Sequence, residues 1–76
     1  MSRDLDRLHE LQAQLSSARK AEDIAMAALD AYVVSGGTDP LRFKDLLNEV
    51  SVAHGVALRV FEAWRETAES CRPRAR

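Results

Sequence analysis

The stretch Ser35-Gly36-Gly37-Thr38-Asp39-Pro40 is the one hard break between two long helix-patterned runs, and it restricts the fold more than any other feature. Two glycines end a helix readily, because they accept the left-handed backbone that a helix C-terminus often takes. Asp39 stands where an N-cap is needed, with Pro40 at the first helical position, where a missing N–H is no loss. A residue before proline is also pushed out of helical space, which suits a cap at Asp39. With roughly thirty residues of helical periodicity on each side, the pattern predicts an all-α fold, an antiparallel two-helix hairpin of coiled-coil character. The expected elements are a helix over about 3–35, a turn at 36–39, a second helix over about 40–71 and a frayed basic tail at 72–76, in one domain spanning 1–76.

In the first run Leu8, Leu11, Leu15, Ala18, Ala25, Leu29 and Tyr32 recur in alternating steps of three and four, with Glu22 interrupting the series. Such a heptad-like line keeps an apolar stripe facing a neighbouring helix. Ser2 is the expected N-cap, and Asp4 and Asp6 put negative charge at the favoured end of the helix dipole. The second half of this helix is rich in alanine (Ala18, Ala21, Ala25, Ala27, Ala28, Ala31), which forms helix well and lets another helix approach closely.

The second run is more regular. Phe43, Leu47, Val50, His54, Ala57, Phe61, Trp64, Ala68 and Cys71 step by four and three without a miss. Folding back across a short turn sets Tyr32 near Phe43 and Leu15 near Phe61. The expected seam is therefore Phe43, Leu47, Val50, Phe61 and Trp64 against Leu8, Leu15, Leu29 and Tyr32. A second stripe, Leu46, Ala53, Val56 and Val60 with Ala63, lies beside it, and the two together are wider than one helix can cover. A broad apolar patch marks an interface, so Leu46, Ala53, Val56 and Val60 are the expected partner-facing residues. Gly55 in mid-helix costs about 0.5–1 kcal/mol relative to alanine, which suits either close approach by another helix or a tolerated surface position.

A core of this size supplies only about 3–5 kcal/mol unless a disulfide, a metal or an oligomeric partner helps. One cysteine, Cys71, leaves no intramolecular disulfide, so the hairpin is expected to be completed by another chain or by self-association. The net charge of -1 gives no field to draw nucleic acid or an anionic membrane. The opening residues lack the apolar run of a signal peptide, and no stretch approaches the roughly 18 apolar residues of a membrane span. These features point to a cytoplasmic protein that binds neither membrane nor nucleic acid.

Reactive chemistry has little to stand on. His54 falls on the apolar line with no His or Cys three or four residues away to complete a ligand pair, and His9 belongs to the other end of the register. It reads as a structural histidine, satisfied by a neighbour or by water. Cys71 has no base nearby to activate it. The acidic pairs Glu22-Asp23 and Glu66 with Glu69 read as solvated surface charge among arginines. Gly36-Gly37 lacks the preceding strand and following lysine of a phosphate loop. No cofactor, metal or catalytic residue is expected, and the chain is not expected to be an enzyme.

Gly37-Thr38-Asp39-Pro40-Leu41-Arg42-Phe43-Lys44-Asp45-Leu46, followed by an amphipathic run to Val60, resembles the small co-chaperones of type III secretion needles. Gly37, Pro40, Phe43, Leu46 and Gly55 fall at matching positions, and the first helix matches in character. The resemblance implies a non-enzymatic hairpin that binds a tetratricopeptide-like chaperone, the pair holding a needle subunit soluble in the cytoplasm before export. Three alternatives stay open at this stage. One is a homodimeric four-helix bundle acting as a scaffold or regulator. The others are a needle-type subunit, and a nucleic-acid adaptor that uses Arg72, Arg74 and Arg76 of the tail.

Overall fold

The computed structural model describes residues 2–71, and α1 (Ser2–Val34) and α2 (Pro40–Ser70) account for nearly all of them. The helices lie side by side as an all-α hairpin, a rod of 60 × 17 × 15 Å. Helix α1 starts at Ser2, which puts that residue inside the first turn and not at the cap expected of it, while Asp4 occupies the first turn. The arginine tail lies outside the described residues.

The turn is built residue by residue. Gly36 takes φ +79, the left-handed conformation, and its N–H donates to Val33 O while the Gly37 N–H donates to Tyr32 O, both at 3.0 Å. That pair of bonds is the Schellman closure, and it satisfies two carbonyls α1 leaves over. The second glycine serves a different purpose: a Cβ at Gly37 would overlap the Tyr32 ring. Tyr32 folds over this position and clamps the entry to α2. Its hydroxyl donates to Asp39 O at 3.0 Å and accepts from the Asp39 N–H at 2.6 Å. Asp39, in extended conformation, caps α2 by accepting the Leu41 N–H at 3.0 Å, with Pro40 following.

Along α1 the inward line is Leu8, Leu11, Leu15, Ala18, Glu22, Ala25, Leu29 and Tyr32, each buried or half-buried. Its spacing is an unbroken heptad, so Glu22 occupies a seam position. Along α2 the line differs from the expected one. Leu46, Val50, Ala53, Ala57, Val60 and Trp64 are the buried or half-buried residues at heptad spacing. Leu46 is 1 % exposed and is therefore core of the hairpin itself, not part of a free stripe; Ala53 and Val60 are half-buried in the same seam. Phe43 and Leu47, expected at the seam, stay 39 % and 43 % exposed. Both lines repeat at the same interval, so periodicity alone does not choose between them. The size of the side chains does: α1 offers Ala18 and Ala25 at its centre, which draws the helices together and leaves room for Ala53 and Ala57 but not for a row of bulky groups. Phe61 rides on the shoulder and stacks on Trp64 of the seam, with ring centroids 5.9 Å apart. Trp64 leaves its buried indole N–H without an acceptor among the described residues.

Candidate partner-binding faces

Two flanks run the length of the rod, one on each side of the seam, and they differ in chemistry. The first is a shallow groove lined by Ala13, Gln14, Ser17 and Ala18 from α1 and by Val56 and Val60 from α2. The small residues of α1 make the hollow, because nothing larger than a glutamine rises from that side. Val56 is exposed there, and Val52, one turn earlier, is more so. No charged side chain lines the groove.

The second flank carries Leu15, Arg19 and Glu22 from α1 with His54, Ala57, Leu58 and Phe61 from α2. Leu15 and Phe61 share this groove, as the folded-back register requires. At its centre the His54 Nδ1–H donates across the seam to Glu22 Oε2, 2.5 Å away. The Glu22 side chain is only 20 % exposed, against 57 % for His54, so the carboxylate sits in the seam and the imidazole covers it from the rim. This corrects the expectation that Glu22 belongs to a solvated face. A carboxylate removed from water needs such a partner, since an unpaired one is expensive to bury. The neighbour expected for His54 is therefore Glu22, and the pair was visible in the sequence as two polar residues at heptad positions, similarly distant from the turn. With the imidazole more than half exposed, water screens the pair to about 0–1 kcal/mol, so it orders the register more than it stabilises it.

The partner-facing residues expected from the sequence divide. Val56 and Val60 line the first groove, whereas Leu46 and Ala53 point into the hairpin. Among the expected seam residues, Leu8, Leu15, Leu29, Tyr32, Val50, Phe61 and Trp64 are half-buried, while Phe43 and Leu47 are exposed, Leu47 one heptad before His54 of the second flank. The exposed Ala13 and Ser17 were missed, because only their position opposite Val56 and Val60 gives them a place in the groove.

Gly55 has no heavy atom of the hairpin within reach of an added Cβ, so no close approach within the hairpin requires a glycine there. Cys71 is an exposed C-terminal cap of α2, and His9 is exposed. Among the described residues no group of three His, Cys, Asp or Glu is placed to hold a metal ion, and no helix is long and apolar enough to cross a membrane. Comparison with protein-family models, curated proteins and solved structures finds no match to this chain.

Proposed function

We propose that the chain is a non-enzymatic binding subunit that offers its valine–alanine groove to an apolar helix of a partner protein. The observation that carries this reading is the groove between Ala13, Ser17 and Ala18 on one wall and Val56 and Val60 on the other. Its small side chains admit a third helix at close range, and its lining has no charge to be desolvated. Three packed helices bury each other's stripes far better than two, so the partner supplies stability that the thin seam does not.

The partner named by the resemblance is a tetratricopeptide-like chaperone in the cytoplasm, and the pair would keep a type III secretion needle subunit from polymerising before export. A helical-repeat protein presents rows of such apolar helices, which fits the groove's shape and chemistry. The test is affinity capture of the tagged chain from its native host, with Val56→Asp/Val60→Asp as the matched variant. Recovery of a helical-repeat chaperone with a small needle subunit, both lost with the double variant while helicity persists, supports the assignment. Recovery of the chain alone contradicts it.

A further inference from the structure

The second flank lies across the seam from the groove just described, and its chemistry is self-complementary. We propose that this flank pairs with the same flank of a second copy, closing an antiparallel four-helix bundle. Arg19 lines the flank, and beside it, on the surface of α1 alone, a shallow hollow shares Leu15 and Arg19 with the flank and adds Lys20 and Asp23. Among the described residues neither Arg19 nor Asp23 takes part in an ion pair. They straddle the level of Ala21, and the Glu22–His54 bond places His54 on α2 within about one residue's rise of that level. A two-fold axis crossing the rod there turns one hairpin end over end onto the other. Each Arg19 then meets the second copy's Asp23, twice per dimer by symmetry.

The same rotation matches the apolar residues. Leu15 comes level with the second copy's Met26, and Leu47 with its Phe61, because each pair straddles the same central level. Met26 follows Arg19 by one heptad and Leu47 precedes His54 by one, so both belong to this side, and both are exposed in the hairpin. A two-fold along the rod would instead set Arg19 over the second copy's Leu58, a charge against hydrocarbon, which the crossing axis avoids. Area permits the contact: a flank of 60 × 17 Å projects roughly 1,000 Å², above the roughly 800 Å² that each partner gives to a standard interface. The valine–alanine groove has no charged lining to fix a register in this way, and it stays free in the dimer.

Sedimentation equilibrium on the full chain, with circular dichroism as a helicity control, tests the pairing. The expected mass is twice the 8.5 kDa of one chain. Arg19→Asp and Asp23→Arg each set like charges face to face and are expected to weaken the dimer at least about tenfold. An equimolar mixture of the two variants is expected to dimerise again, because each supplies the charge the other lacks. A wild-type chain that sediments as a monomer, variants that dimerise as well as wild type, or a mixture that stays monomeric overturns the proposal. So does a dimer lost on Val56→Asp but kept in Arg19→Asp, since that contact would lie on the other flank.

Discussion

The turn and the middle of the seam are held together by different physics. At the turn the bonds are directional and local: Gly36 supplies a left-handed residue, Gly37 makes room, and one tyrosine hydroxyl bonds both backbone groups of Asp39. Along the seam there is little beyond burial, and little of that. Leu11 and Leu46 are the fully buried large side chains, with Ala18 and Ala57 between them in the rod and a carboxylate in the seam at Glu22. The contrast teaches that the turn specifies the hairpin's shape while the seam barely supports it. The surplus apolar surface sits on the flanks, outside the hairpin's own reach.

Substitutions that separate the two regions are expected to rank accordingly. Leu46→Ala strikes the seam at its best-buried point and is expected to cost about 3 kcal/mol, enough to remove most of the isolated chain's helicity by circular dichroism. Gly37→Ala strikes the turn. It is expected to cost about 2 kcal/mol by displacing the Tyr32 ring and its two hydrogen bonds to Asp39, and urea midpoints would show it. In a Tyr32→Ala background the same change is expected to cost little, because the obstructing ring is gone; additive effects would mean that Gly37 serves something else.

The remaining two sharpen the account of the seam. Glu22→Leu fills the one polar α1 position in the heptad line and is expected to stabilise the hairpin by about 1 kcal/mol, since a cross-helix pair of this kind is readily outdone by apolar packing. A loss of stability would show that the Glu22–His54 bond contributes more than register. Gly55→Ala places its Cβ in open space and is expected to gain about 0.5–1 kcal/mol from backbone entropy alone. If it weakens a partner complex instead, that partner needs the close approach that the hairpin itself does not use.

How much of this was legible in the sequence follows the same division. The turn was readable because each of its residues has a local reason: Asp39 before Pro40 is a cap, and paired glycines after an apolar helix are a stop. Even so, the separate duty of Gly37 depends on where Tyr32 folds, which no local rule states. The α1 line was readable at every position except Glu22, whose charge hid a seam position that spacing alone would have revealed. The α2 line was misplaced in part: Phe43, Val50, Ala57 and Trp64 belong to both candidate lines, but Leu47 and Phe61 repeat at the same heptad interval as Leu46, Ala53 and Val60, one residue later, and carry more hydrophobicity. Choosing between two such lines requires knowing that Ala18 and Ala25 bring the helices together, a property of the pair and not of either helix. The groove shares that origin, since Ala13 and Ser17 acquire meaning only beside Val56 and Val60.

The central claim is that the hairpin's own seam is too thin to hold it and that assembly through a flank completes it. Thermal unfolding of the full chain followed by circular dichroism over a hundredfold range of concentration tests that directly, because a fold completed by association must melt higher when concentrated. The account predicts a midpoint that climbs with concentration and a helical signal that fades on dilution. A sharp transition at one temperature across the whole range would contradict it, and would mean that the two helices suffice alone.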